Sequence, residues 1–225
     1  MGIMKKIKNR NIIFVLILLL ATPIIAQESD TDTEVENDFE YRTSFKFSYK
    51  PIKKLKINFT PEVRFKDDFT VDRYLLETEL VYKPFKHFYV GGNYRFVINP
   101  RTQKTTEYFH RFGVTTTYKR KFDRFEPAIR LSYTNYADDD DVDDNFLRYK
   151  AAIGYDIKDC KLTPTISAEL FHQLADNEMY KVRYKLAVDY KIFKNNYVGA
   201  SYRLDYYLKK YENNHIFSIG YKLKF

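Results

Sequence analysis

The chain has 225 residues, a formal charge of +8, 21 Tyr and 19 Phe, no Trp and a single cysteine. That length suits one domain of ordinary size or one closed barrel. Cys160 alone excludes an intramolecular disulfide, a zinc–thiolate site and a cysteine-ligated iron–sulfur cluster, four scattered histidines leave little room for a metal centre, and no cofactor is expected.

In chain order, residues 1–26 read first as an export signal. Lys5, Lys6, Lys8 and Arg10 precede an apolar run whose core, Ile12 to Leu20, holds no polar residue. The run is short of the ~20 residues of a membrane-spanning helix and is broken by Pro23, so a cleaved signal ending at Ala26 is expected. Without the signal, 34 basic residues face 30 acidic ones, a balance that does not call for nucleic acid as a partner. Residues 27–38, which include SDTDTEVEND, then read as an acidic flexible segment, and 39–225 as the folded body.

From Phe39 onward the recurring pattern has period two. Phe39, Tyr41, Thr43, Phe45, Phe47 and Tyr49 share one face, and Glu40, Arg42, Ser44, Lys46, Ser48 and Lys50 share the other. The split repeats in Leu55, Ile57 and Phe59 against Lys56, Asn58 and Thr60, and again in Tyr180, Val182 and Tyr184 against Lys181, Arg183 and Lys185. Such alternation belongs to strands with one apolar face. Eleven candidates follow: 39–50, 54–65, 71–83, 87–97, 106–119, 124–135, 146–156, 161–172, 179–191, 196–208 and 215–225.

Tyr49, Tyr82, Tyr118, Tyr155, Tyr190 and Tyr221 recur at separations of 33, 36, 37, 35 and 31 residues. The first five lead into the short turns KPIKK, KPFKH, KRKFDR, DIKDCK and KIFKNN, which makes this a hairpin repeat with odd-numbered strands running toward one side. The opposite connections are more polar and more variable. ADDDDVDDN (137–145) reads as a solvated loop, lacks the pattern of a calcium loop, and at about nine residues is too short to act as a plug.

An apolar face on every strand fits a soluble barrel with that face inward, or a membrane barrel with that face on lipid. Arg and Glu on the polar faces, tyrosines at strand ends and a terminal aromatic residue favour the membrane. The expected fold is therefore all-β: a transmembrane antiparallel up-and-down barrel of about ten to twelve strands, eleven of them visible.

The opening DFEYRTSFKFSYKPIKK, the block EVRFKDDFTVDRYLLETELVYKP and the terminal aromatic give the chain its family likeness. With the signal peptide, they resemble an uncharacterised family of Gram-negative outer-membrane β-barrels, domain of unknown function 2490. The resemblance implies location in the outer membrane and a barrel architecture, and it carries over no catalytic residue. It also implies contact with outer-membrane lipids and with the barrel-assembly machinery, for which Tyr221 and Phe225 on the last strand are the expected signal. An odd count of eleven is a conflict, because single-chain bacterial barrels normally have even numbers. A missed strand, two candidates that are one, or an acidic segment returning through the lumen would each resolve it.

No catalytic residue is expected. No His-x-Ser pair is present, and Ser218, three residues after His215, falls on the opposite strand face. His87 lies beside a turn, and His110 and His172 fall on apolar faces, as interfacial residues would. Glu77 and Glu79 share a face with interleaved arginines, which suits salt-bridged packing better than acid–base chemistry. The candidate site is instead a basic belt inside the barrel. Arg42, Arg64, Arg73, Arg95, Arg111, Arg130, Arg148, Arg183 and Arg203 all lie on polar faces, seven to eleven residues from the tyrosine-marked turns. Glu169 takes the corresponding place on the eighth strand, with Glu62, Glu77 and Asp205 nearby. Nine guanidiniums against four carboxylates leave the belt net positive, suited to small anions. The expected function is a narrow anion-preferring pore or a small-solute-binding barrel in the outer membrane. A closed structural or cell-surface interaction barrel is the alternative, and a lipid-modifying barrel enzyme a distant third.

Overall fold

A computed structural model describes residues 35–101, 105–138 and 144–225. The expected signal over residues 1–26, the acidic stretch through Glu34 and Asp139–Asp143 of the aspartate run lie outside the described residues. Eleven strands form: β1 (Glu36–Ile52), β2 (Leu55–Phe65), β3 (Val71–Tyr82), β4 (Phe88–Asn99), β5 (Glu107–Lys119), β6 (Phe125–Thr134), β7 (Phe146–Tyr155), β8 (Leu162–Gln173), β9 (Glu178–Phe193), β10 (Asn196–Tyr207) and β11 (Glu212–Lys224). Each is hydrogen-bonded to its neighbours in sequence, and β1 closes on β11 to complete the barrel.

Closure resolves the conflict over the odd count. Ten antiparallel steps leave the first and last strands pointing the same way, so the seam between them is parallel. It runs in unbroken register from Glu36↔Glu212 to Ser48↔Lys224. Glu36, Asn37 and Asp38, expected in the flexible segment, are already strand, because β11 offers Glu212, Asn213 and Asn214 as partners. Outside the seam, Phe39 stacks on His215 (5.1 Å between ring centres) and Tyr41 on Phe217 (5.8 Å).

Five short connections lie at one end, called here the turn side, and the more variable ones at the other, the loop side. Asp123, Asp159 and Asn195 take positive φ in turn-side connections, the left-handed conformation that Asp and Asn tolerate. His87 takes it as well, at φ 68°, so it is the turn's own pivot instead of a residue beside it.

Burial shows which face points where. Ile129 is 67 % exposed and Ile219 64 %, and Phe45, Phe112, Val114 and Leu186 are exposed on the same outer face. Arg64, Lys181, Arg183 and Asp205 are buried inside. The barrel is thus inverted relative to a soluble one, with its apolar faces outward and its charges in the lumen.

Candidate functional site

The loop-side half of the lumen is filled from three sources. The strands contribute arginines at alternate positions, because only every second residue faces inward. They also contribute carboxylates, all but Asp72 in the same phase. Arg42 pairs with Glu40 and lies 3.9 Å from Glu62, while Arg64 lies 2.9 Å from Glu62 and 3.6 Å from Glu40. Arg73 pairs with Asp72, Arg95 with Glu77 (2.7 Å) and Arg148 with Glu169 (2.8 Å). Asp205 accepts from Arg183 at both oxygens (2.6 Å each) and from Lys181 (2.7 Å), all three side chains being buried.

The third source is the β6–β7 connection. Contrary to the expected solvated loop, Tyr136, Ala137 and Asp138 turn into the lumen, with Tyr136 and Ala137 buried there. Asp138 takes positive φ (73°) and bridges opposite walls. It pairs with Arg95, accepts from Arg183 at 2.6 Å and lies 3.8 Å from Arg64, whose Nη1 also donates to its backbone carbonyl at 3.3 Å. Burial alone would raise the Asp138 carboxyl, but Arg95, Arg183 and Arg64 outweigh it and hold the group well below the usual carboxylate range. Among the described residues of this eleven-residue connection (135–145), Tyr136, Ala137 and Asp138 are enough to fill the lumen at this level.

Local contacts fix that entry. The Asn135 side chain accepts from the Phe112 N–H (2.6 Å) and donates to the His110 carbonyl (3.3 Å), extending the β5–β6 pairing by one residue. Asn93 donates from Nδ2 to the Tyr136 hydroxyl at 2.9 Å. Asn93 has room because its cross-strand partner is Gly113, where a Cβ would collide with the asparagine side chain. The rings then carry the cations. Arg95 lies 4.8 Å from the Tyr136 ring centre, and Arg148, Arg183 and Lys181 lie 4.4, 5.0 and 5.0 Å from that of buried Phe171. The void left among Arg64, Arg73, Arg95, Arg111 and Asp138 measures about 20 Å³, room for about one water.

Of the nine arginines in the expected belt, seven line this half: Arg42, Arg64, Arg73, Arg95, Arg111, Arg148 and Arg183. Arg111 donates to the Asn135 carbonyl at 3.2 Å. Arg203 faces the same lumen across from Lys185, and its Nε has no hydrogen-bond partner among the described residues. Arg130 lies apart, on the turn side, where Nε donates to Thr117 Oγ1 at 3.1 Å. Glu62, Glu77, Glu169 and Asp205 are all in the network. Glu40, Asp72, Asp138 and Lys181 belong to it and were not anticipated. Glu40 could have been found from its position two residues before Arg42. Tyr136–Ala137 is a small apolar break before the aspartate run, a faint signal for entry.

The turn-side half is open. A cavity of about 620 Å³ is lined by Lys46, Lys56, Arg130 and further lysines from the adjoining turns, together with Glu77, Glu79 and Glu126. On the outer face, His110 and His215 each share a hydrogen bond with a tyrosine hydroxyl, Tyr94 and Tyr202, at 2.8 Å, and His172 contacts Asn177 at 3.0 Å. Ser218 sits in the lumen, on the other face from His215. Tyr221 donates to Asn196, and the Phe225 N–H donates to the Ser48 carbonyl at 2.8 Å.

A family model described as a protein of unknown function (DUF2490) matches residues 39–215. No curated protein matches the chain.

Proposed function

The chain belongs to the DUF2490 family of proteins of unknown function, and from that premise we propose that it is an exported outer-membrane barrel, closed across its loop-side half. One observation carries the membrane reading: the barrel is inside out. Apolar side chains such as Ile129, Ile219, Val114 and Phe112 lie on the outer surface, where water would leave a continuous belt of them unsatisfied. Strands of ten to seventeen residues reach or exceed the roughly 9–11 that a tilted strand needs to cross hydrocarbon. In this reading residues 1–26 direct export, outer-membrane lipids contact the apolar face, and the assembly machinery inserts the chain.

Closure favours a binding barrel over an anion-preferring pore. Belt guanidiniums that would attract a passing anion already hold carboxylates, and Asp138 ties opposite walls together. Small anions would therefore enter from the turn side and stop. Fractionation tests the location: the protein is expected in detergent-extracted outer membrane, with different gel migration before and after boiling. Recovery as a soluble periplasmic monomer would overturn it. Planar-bilayer recording in a salt gradient tests closure, with no steady conductance expected. A stable anion-selective current would restore the pore.

A further inference from the structure

We propose that the turn-side cavity is a binding site for a small soluble oligophosphate. The inference deepens the reading of a barrel closed at one end, and it rests on the imbalance of charge in that cavity. Lys46 and Lys119 are accounted for by Glu79 (3.6 Å) and Glu126 (2.6 Å). Glu77 is engaged by Arg95. Six further cations line the cavity: Lys50, Lys53, Lys54, Lys56, Lys83 and Arg130. Among the described residues, none of these six has a carboxylate within 4.0 Å. What they do contact is neutral: Lys54 donates to the Pro84 carbonyl at 3.5 Å, Lys83 lies 5.5 Å from the Tyr89 ring centre, and Arg130 donates to Thr117.

Six like charges converging on one concavity repel one another, and a multiply charged anion relieves them all at once. The volume, about 620 Å³, is that of a small-molecule pocket. Lysines bind phosphate as mobile point charges, and a chain of phosphates carries the high density of negative charge that six clustered cations call for, more than a single phosphate or a tricarboxylate does. Thr115 and Thr117 add hydroxyl donors on the same wall. Lys56 and Arg130 point into the lumen, on the opposite strand face from exposed Ile129 and Leu131, so a lipid headgroup held in a bilayer cannot reach them. A soluble ligand entering by the turn-side mouth can. The paired half above then acts as the floor of a blind cup, with Glu79 held by Asn58 (2.6 Å) at its base.

The test is calorimetric titration of the full folded chain in a zwitterionic detergent at about 0.1 M ionic strength, with inorganic tripolyphosphate as probe. Saturable one-to-one binding is expected, at least about tenfold tighter than that of inorganic phosphate or citrate, and weakening steeply with added salt. The double variant Lys56→Gln/Arg130→Gln is expected to weaken binding by about tenfold or more, with gel migration of the folded barrel unchanged. Lys53→Gln/Lys54→Gln, in an exposed turn, provides a second reading should the first pair disturb folding. Absence of saturable binding, equal affinity in both variants, or citrate binding as tightly as tripolyphosphate would each overturn the proposal. Capture of micelles containing anionic phospholipid, with no response to tripolyphosphate, would assign the cations to lipid headgroups instead. Because the assay reads binding in detergent, it can fail while the outer-membrane placement and the closure stand, and the reverse.

Discussion

The two halves of the lumen both mix basic and acidic side chains and come to opposite ends. On the loop side, arginines are interleaved with carboxylates at hydrogen-bond distance, rings fill the gaps between them, and the void shrinks to about 20 Å³. On the turn side, lysines gather with three carboxylates among them, and about 620 Å³ stays open. A guanidinium fork can lock two partners in fixed geometry, so Arg-rich lumens close on themselves once carboxylates are in phase. Flexible ammonium groups without partners hold one another apart. Charge alone therefore does not make a pore or a site. What decides is whether the countercharge is supplied by the chain.

Substitutions should separate the halves by their cost. Asp205→Asn is expected to have the largest effect, about 3–5 kcal/mol in urea unfolding from lipid vesicles, because it leaves buried Lys181 and Arg183 without their shared carboxylate. A loss under about 1 kcal/mol would mean that water enters the loop-side half freely. Asp138→Asn should cost less, roughly 2 kcal/mol, since Arg95 and Arg183 keep Glu77 and Asp205. In the same variant, any conductance seen in bilayers should rise above that of the parent chain, as the tie between opposite walls is lost.

The acid response sharpens the same contrast. Asp138 is held well below the ordinary carboxylate value of 3.8, so its stabilisation is complete above that value and is lost only as pH falls through the depressed one. The stability gap between parent and Asp138→Asn should therefore stay constant from pH 8 to about 4 and narrow only below. A gap that closes near pH 6 would contradict the ion-paired plug. The smallest effect belongs to the turn side: Lys53→Gln should change stability by less than about 0.5 kcal/mol, because its ammonium group has no partner to lose.

Much of this was legible locally. The alternation Glu40, Arg42, Ser44 against Tyr41, Thr43, Phe45 assigned the polar face of β1 correctly, and the tyrosine-marked turns located every hairpin at that end. The belt was legible as a phase, since eight of its nine arginines do gather on one lumen surface or beside it. Its countercharge was legible only in part. Glu62 and Glu169 stand directly across from or beside arginines, whereas Asp138 comes from a connection whose six aspartates look like solvent-facing residues. Nothing within the loop tells that its first aspartate, Asp138, meets Arg64, Arg95 and Arg183, which are contributed by strands far away in sequence.

By itself the sequence determined the strands, their two faces and the hairpin order, because side-chain alternation and turn chemistry are properties of neighbouring residues, and it left the count at ten to twelve. Only the tertiary structure decided that the apolar face is the outer one, since a period of two reads the same whichever side is wet. It also decided the parallel seam, where residue 36 meets residue 212, and the entry of Asp138, where one carboxylate answers three strands. These outcomes depend on closing the sheet on itself, and closure brings together charges whose partners are set by register and not by spacing along the chain.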